Sequence, residues 1–310
     1  MSQSPFGLLE LGSNSLKFYR VRMKPGLGYD VSTFKFPWSV SHEVFSGDPV
    51  ADSEIPESVI GEVVSKVLGV RDIDPELPLE TVLTVATGVF REFSDLSPLE
   101  DRLRAESKVR LRVISGEDEA TLMARDFFAR DSEPKLLCDL GGATTEWASI
   151  IKRKPVACGS VRLGAIRNKY AVPVSPEDPK AFVARSRSYC DGHLRELPVA
   201  EGEVGVELLV IGGTAKALAK TIGSDEIPAE ALTELIDRVV VDGPPEDLKP
   251  QRKPVFLPGL VVLERLAEHC GAPKLFYAKT SVRHGMAARL VKLLQSHDRD
   301  DLHTTLLLGD

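Results

Sequence analysis

The sequence has few of the features that build disulfide-linked, zinc-binding or membrane proteins. Its four cysteines, Cys138, Cys158, Cys190 and Cys270, form no CxxC pair, and its six histidines show no HxxxH spacing. We therefore expect free thiols in a reducing compartment and no zinc site. No apolar run reaches the roughly 18 residues that span a bilayer. The N-terminal segment MSQSPFGLLEL also lacks the basic and apolar regions of a signal peptide, so a cytoplasmic protein with no membrane partner is expected.

An excess of positive charge is also missing. The 310 residues carry a formal net charge of −7, which argues against nucleic acid as a partner. The apolar fraction of 43% and the charged fraction of 27% are ordinary for a globular protein. A chain of this length is enough for about two domains, each with its own core.

The most informative stretch is LLCDLGGATTEWASI, residues 136–150. An apolar run leads to Asp139, two glycines follow, and Glu146 comes after two threonines; strand, glycine turn and strand predict a β-hairpin. A turn without Cβ atoms exposes its N–H groups to an anion, and carboxylates beside a phosphate suggest a divalent cation. An ordinary Gly-Gly hairpin with a solvated acid at each end shows the same pattern.

Residues 6–23 repeat this pattern. An apolar strand leads to Glu10, then Gly12, Ser13, Asn14 and Ser15 precede a second strand. Small hydroxylated residues can offer both N–H and O–H donors to a phosphate, although plain hairpins favour the same residues. Two such turns suggest two related domains that face each other, each supplying one phosphate loop.

Two further polar residues follow predicted strands, at the edge where open α/β sheets bind ligands. Arg91 comes shortly after the strand Thr81–Thr87, and an arginine there can hold a phosphate with two hydrogen bonds. Glu119 comes after the strand Val109–Ile114, and a carboxylate there can take a proton from an attacking water. A surface arginine and acids that favour a helix N-terminus are the alternatives.

Helical spacing predicts further elements. The apolar residues of segment 53–70 have the spacing of a helix, with Ser53 as the expected N-cap. A second helix is expected from Thr121.

Several segments in order resemble the exopolyphosphatase/guanosine-pentaphosphate phosphatase family, part of the sugar-kinase/hsp70/actin superfamily. They are ELGSNSLKF, ATGVFREFSD, VISGEDEATLMARDF, CDLGGATTEW, GSVRLGAIR, ELLVIGGTAKALA, VFLPGLVVLE and KTSVRHGMAAR. The resemblance covers about residues 6–290. It implies an α/β fold of two duplicated ribonuclease H-like (actin-like) domains, with mixed sheets flanked by helices and a cleft between them. The expected domains are residues 1–128 and 129–310, with a C-terminal helix at about 281–296 packing back on the first.

The resemblance also implies roles for single residues. Glu119 matches the family's catalytic glutamate and Arg91 its cleft arginine. Asp139, Glu146 and Glu10 match acids expected to hold Mg²⁺ or Mn²⁺. The expected phosphate-binding residues are Gly12, Ser13, Asn14, Ser15, Gly141, Gly142, Ala143, Thr144, Gly212, Gly213 and Thr214.

This chain departs from the family pattern at a few of these positions. Glu10 replaces the usual aspartate, and Ala143 adds a methyl group where the backbone is expected to approach a phosphate. The segment FPWSVSHEVFSG contains none of the arginines expected there, and His284 stands where an acid is usual.

The activity that the resemblance implies is metal-assisted release of the terminal phosphate from inorganic polyphosphate or guanosine pentaphosphate, in the setting of the stringent response. A homodimer would match the family. One alternative is a regulator that binds polyphosphate or guanosine tetraphosphate and has weakened catalysis, motivated by the departures above. The other is a kinase of the same superfamily, because phosphate loops and acids are shared.

Overall fold

The computed structural model describes residues 6–23, 29–46, 53–75, 77–125, 135–152, 154–172, 178–198 and 207–279. Among them the chain divides into two compact units, the first ending at Asp118 and the second beginning at Glu119. The expected boundary at residues 128–129 and the expected helix at about 281–296 lie outside the described residues, so both stay predictions. No helix in these ranges is long and apolar enough to cross a membrane.

The first unit contains a five-stranded sheet. Its strands are β1 (Phe6–Gly12), β2 (Ser15–Met23), β3 (Tyr29–Pro37), β5 (Leu83–Ala86) and β7 (Leu111–Val113), and a separate short pair is formed by β4 (Ser53–Glu54) and β6 (Phe93–Asp95). Its helices are α1 (Val40–Ser46), α2 (Glu57–Leu68) and α3 (Ser97–Ser107), and α4 (Gly116–Arg125) begins at its end. A 3₁₀ turn, Gly88–Glu92, follows β5.

The sheet of the first unit has the order β3-β2-β1-β5-β7. The first three strands are an antiparallel meander, and β5 and β7 continue it in parallel. The residues of β1 from Gly7 onward are all buried, so both faces of this central strand are covered. The alternation expected of a half-solvated strand is therefore lost in β1.

The second unit contains a six-stranded sheet. Its strands are β8 (Lys135–Leu140), β9 (Thr145–Ile151), β10 (Lys154–Val161), β11 (Glu207–Gly212), β12 (Glu226–Pro228) and β13 (Lys274–Tyr277). Its helices are α5 (Ala165–Ala171), α6 (Pro179–Leu194), α7 (Gly213–Ile222), α8 (Ala229–Asp242) and α9 (Lys253–His269). The helix α9 packs against the other four, and its Leu260 and Leu263 are fully buried in the core.

The second sheet, of order β10-β9-β8-β11-β13-β12, repeats the arrangement of the first. A three-stranded antiparallel meander again comes first, and β11 and β13 then continue from β8 in parallel. Each meander thus places its first hairpin turn next to the carboxyl end of a parallel strand. The prediction of two duplicated α/β domains with mixed sheets flanked by helices is confirmed.

Candidate functional site

The glycine turn between β8 and β9 is held from behind by the start of α5. The N–H groups of Ala165 and Ile166 donate to the carbonyls of Gly141 and Gly142, at 3.0 and 2.8 Å. Arg167 adds a side-chain bond from Nε to the carbonyl oxygen of Ala143, at 2.8 Å. Gly164 lies so close that a Cβ there would meet the Gly142 carbonyl oxygen at 2.4 Å. The carbonyl groups of this turn therefore point toward α5.

The N–H groups of Gly142 and Ala143 have no acceptor in the part of the chain that the structure describes. Successive unpaired N–H groups form a concave site for an anion. Ala143 is fully buried as a residue. That its methyl group crowds a bound phosphate stays a prediction.

Asp139 and Glu146 lie directly opposite each other on β8 and β9. Side chains in such a pair share one face of the sheet, about 5 Å apart at Cβ, and like charges in that position repel. Glu146 is buried and accepts a hydrogen bond from Ser160 Oγ at 2.9 Å. Mg²⁺ is usually held by one or two carboxylates together with water and phosphate oxygens, which this pair fits. No group of three or more His, Cys, Asp or Glu side chains in the described ranges is suited to hold a metal by itself.

The turn that starts α7 lies beside Asp139. Gly212 has φ of +98°, and a Cβ there would lie 2.5 Å from the carbonyl oxygen of Leu140 and 2.7 Å from Asp139 Oδ1. Only glycine fits such a conformation and such an approach. Gly213 is the first residue of α7, and Gly212 caps that helix without a side-chain bond, so its first N–H groups are available to an anion. The second and third glycine turns thus flank one carboxylate.

Arg252 is a residue of this site that the motif comparison did not single out. Its guanidinium lies over Gly213, where an added Cβ would meet Nη1 at 1.9 Å. Among the described residues it has no acidic partner, and burial alone lowers the pKa of its guanidinium. An arginine remains charged in proteins, so Arg252 is a half-buried cation beside a helix N-terminus. The sequence signal was an arginine placed just before the segment VFLPGLVVLE.

The first glycine turn, in the first unit, is also tied from behind. Trp38 Nε1 donates to the carbonyl oxygen of Gly12 at 3.0 Å, and Ser41 Oγ donates to that of Ser13. The N–H of Val89 donates to Ser13 Oγ at 3.0 Å, so this hydroxyl anchors the turn to the 3₁₀ segment after β5. The N–H groups of Ser13 and Asn14 have no acceptor among the described residues. The segment without the expected arginines therefore supports the turn.

Both carboxylate oxygens of Glu10 accept hydrogen bonds from residues of its own sheet. Lys17, its cross-strand partner, donates to Oε1, and the Tyr19 hydroxyl donates to Oε2 at 2.5 Å. Burial acts to raise the pKa of Glu10, but the charge and hydrogen bond of Lys17, the Tyr19 bond and the charge of Lys35 together lower it. That Glu10 binds a metal stays a prediction, and it would require Lys17 to move.

Glu119 is buried in the first turn of α4, whereas Glu117 in the same turn is exposed. Ser115 provides the cap of this helix, because its Oγ accepts from the Asp118 N–H at 3.0 Å. The helix start is therefore already stabilised without Glu119, whose burial is not explained by the helix dipole alone. Arg91 is half-buried in the 3₁₀ turn after β5, and its Nη1 donates to the carbonyl oxygen of Ile114 at 3.3 Å.

The structure thus assembles two sets of predicted residues. The first unit contains the turn of residues 12–15 with Glu10 beside it and, after β5, the 3₁₀ turn that carries Arg91. The second unit contains Asp139, Glu146 and the turns 141–144 and 212–214, and Arg252 is added to it.

Comparison with known proteins gives the same family as these motifs. The model of the Ppx/GppA phosphatase family matches residues 51–294. An uncharacterized protein of Streptomyces coelicolor is 29% identical over 189 residues, which cover 58% of this chain and 55% of that protein. Exopolyphosphatase 1 of Mycobacterium leprae is 26% identical over 227 residues, which cover 70% of this chain and 65% of that enzyme. The chain thus spans 55–65% of the length of these curated relatives.

The fold has the same relatives. The crystal structure of an exopolyphosphatase from Cytophaga hutchinsonii superposes with a TM-score of 0.75, covering 93% of this chain and 98% of that one at 19% identity. This likeness concerns the fold, while the family match rests on the sequence and covers most of the chain. The chain belongs to the Ppx/GppA phosphatase family.

Proposed function

We propose that the protein is a hydrolase that releases the terminal phosphate of inorganic polyphosphate or guanosine pentaphosphate, in the cytoplasm. The observation that carries this proposal is the turn at Gly141–Ala143. Its carbonyl groups are bound to α5 while the N–H groups of Gly142 and Ala143 stay unpaired, beside the carboxylates of Asp139 and Glu146. Membership of a phosphatase family and likeness to enzymes named exopolyphosphatase support the reaction type.

Each predicted residue receives a role in this proposal. The N–H groups of the turns at 12–15, 141–144 and 212–214 bind phosphate oxygens, and Arg91 and Arg252 bind further oxygens through their guanidinium groups. Glu119 orients the attacking water and accepts its proton. Because a carboxylate is a weak base, most of the effect of Glu119 comes from positioning the water.

Asp139 and Glu146 are the residues that would hold a divalent cation, Mg²⁺ or Mn²⁺. When bound there, the cation would neutralise charge that develops on the phosphate oxygens. Glu10 is the third carboxylate predicted for the cation, and it would have to exchange the ammonium of Lys17 for the metal.

The hydrogen bonds from Lys17 and Tyr19 to Glu10 also favour an alternative function, that of a regulator that binds polyphosphate or guanosine tetraphosphate without hydrolysing it. A superfamily kinase is a further alternative. It would form ADP from ATP only when an acceptor is present.

The experiment that tests the proposal is phosphate release by the full chain from polyphosphate of several lengths and from guanosine pentaphosphate, with Mg²⁺ titrated. We expect release that requires the cation, and Asp139→Asn should shift the Mg²⁺ requirement to higher concentration. Asp242→Asn, at an exposed acid of the same unit, is the matched control. Tight binding of guanosine tetraphosphate with no phosphate release at any Mg²⁺ concentration would replace the hydrolase with the regulator.

A further inference from the structure

A cavity of about 560 Å³ lies among α5, α6, α8 and α9 of the second unit. A volume of this size is typical of small-molecule sites, which measure about 300–1,000 Å³. Its walls are largely apolar and include Tyr170, Val172, Phe182, Val239 and Leu257. It is lined by neither the glycine turns nor the carboxylates of the proposed active site.

The charged groups at this cavity are all positive. Lys169 and Lys253 line it, and neither forms an ion pair with a carboxylate in the ranges that the structure describes. The ammonium of Lys169 lies 4.8 Å from the centre of the Tyr170 ring, which places charge next to an aromatic wall. The exposed Asp247 is near enough to feel the charge of Lys253, but it accepts a hydrogen bond from Lys220 at 2.7 Å.

The N-terminus of α9 adds to this positive field. The helix begins at Lys253, and its N-cap provides no side-chain hydrogen bond. Lys253, Pro254 and Leu257 all line the cavity, so the first turn of a 17-residue helix lies at its wall. The positive end of the helix dipole at this point favours an anion.

We propose that this cavity binds a small amphiphilic anion. Its apolar body would lie against Tyr170, Phe182 and Leu257, and its carboxylate or phosphate head would contact Lys169 and Lys253. A purely apolar ligand would leave two ammonium groups facing it, and a purely polar anion would leave the apolar walls unused.

The occupant would also change how the second unit binds phosphate, because the helices of the cavity wall hold the glycine turns. The start of α5 binds the carbonyls of Gly141 and Gly142, and its other end carries Lys169 and Tyr170. Asn168 Nδ2 donates to the carbonyl oxygen of Pro258 at 2.9 Å, which ties α5 to α9.

The helix α9 makes its own contacts with the third turn. Arg252, directly before the helix, covers Gly213, and Gly259 approaches Thr214 so closely that a Cβ there would meet its side chain at 2.6 Å. A ligand that moves either helix would therefore move a phosphate-binding turn. This second part rests on the proposed function.

Binding is tested on the full chain with 8-anilinonaphthalene-1-sulfonate, an aromatic anion whose fluorescence rises in apolar sites. We expect decanoate and decyl phosphate to displace it, and decanol and decyltrimethylammonium to do so at least tenfold more weakly. Whichever of decanoate and decyl phosphate competes better identifies the head group. Equal displacement by decanol would overturn the proposal.

Variants locate the site. The double variant Lys169→Ala/Lys253→Ala should weaken probe binding at least tenfold, while Lys274→Ala/Lys279→Ala, which removes the same charge from two exposed lysines of this unit, should leave it unchanged. Leu257→Trp and Val240→Phe should each narrow the cavity and weaken binding, with thermal unfolding used to check that the variants fold. Unchanged binding in both folded variants, or equal loss in the control double variant, would contradict the assignment.

The coupling between the cavity and the phosphate-binding turns is measured separately, through the KM for polyphosphate. At saturating decanoate, the KM for polyphosphate should change at least threefold in the wild type and not in Leu257→Trp. A KM that decanoate leaves unchanged, with the probe displaced, would refute the coupling while the binding site stands. Absence of phosphate release under any condition would refute the proposed function alone, because the fluorescence titration does not depend on it.

Discussion

The guanidinium of Arg252 lies directly over Gly213, at the first residue of α7. This close approach is possible because Gly213 has no side chain. Arg252 has no acidic partner in the described ranges, and burial lowers the pKa of its guanidinium. Burying a charge without a counter-ion costs stability, so the arrangement favours a functional role in which a phosphate supplies the missing charge.

We predict that Arg252→Met raises the KM for polyphosphate about tenfold or more, since hydrogen bonds to charged groups contribute about 1.5–3 kcal/mol. The melting temperature should stay the same or rise, because an uncompensated buried charge is removed. Phosphate release at several substrate concentrations and thermal unfolding measure the two effects. Lys249→Met, at an exposed lysine three residues earlier, is the control. A lower melting temperature with unchanged KM would assign Arg252 to the core.

Alanine at the two neighbouring glycines should have different consequences. In Gly213→Ala the methyl would displace the far end of the flexible Arg252 side chain, so we expect a small change in stability and weaker phosphate binding. In Gly212→Ala the methyl would meet the backbone oxygen of Leu140 at a φ of +98°. The strained backbone alone should cost about 1–3 kcal/mol of unfolding free energy.

Chemical denaturation of both variants, together with polyphosphate binding, separates these effects. The structure would be contradicted at this turn if Gly213→Ala destabilised the protein as much as Gly212→Ala.

Glu10 should make the stability of the first unit depend on pH. Its pKa in the folded protein lies below the usual value of 4.5, the net result of burial, which raises it, and of Lys17 and Tyr19, which lower it by more. The stability that this carboxylate contributes is therefore fully present above the unfolded pKa and is lost as pH falls through the folded one. We expect the difference in unfolding free energy between wild type and Glu10→Gln to shrink as the pH falls through 4.5 and below.

Two further variants check this interpretation. Glu80→Gln, at an exposed acid of the same unit, should show no such dependence. Lys17→Met should be more destabilising than Lys17→Met combined with Glu10→Gln, because the single change leaves a buried carboxylate without its cross-strand cation. If the wild type and Glu10→Gln lost stability in parallel with falling pH, Glu10 would not be ionised in the folded protein.

Much of the fold could be predicted from local patterns. The hairpins at residues 6–23 and 136–150 are confirmed, because two apolar strands around a glycine turn specify a hairpin without distant contacts. Helix starts were less accurate. The helix expected from Ser53 begins at Glu57, because Pro56 disfavours a helical backbone at the residue before it. The helix expected from Thr121 begins at Gly116, because the Ser115 hydroxyl caps it.

The candidate site was predictable where it consists of glycines and acids in sequence motifs. The residues that contact these turns from outside the motifs were not predictable, because they come from distant segments. Arg252 reaches Gly213 through the packing of α9, and Trp38 reaches Gly12 from a segment whose sequence indicated only missing arginines. The hydrogen bonds that hold the Gly141–Ala143 turn come from α5, which the motif itself does not indicate.

The central claim is that Glu119 activates water for hydrolysis of a phosphoanhydride, and its most direct test is the turnover of long-chain polyphosphate by Glu119→Ala. Glu117→Ala is the matched control, because this exposed acid lies in the same helical turn. We expect Glu119→Ala to lower turnover about 10²-fold or more, with polyphosphate still bound, and the control to keep wild-type turnover. Wild-type turnover in Glu119→Ala would contradict the account.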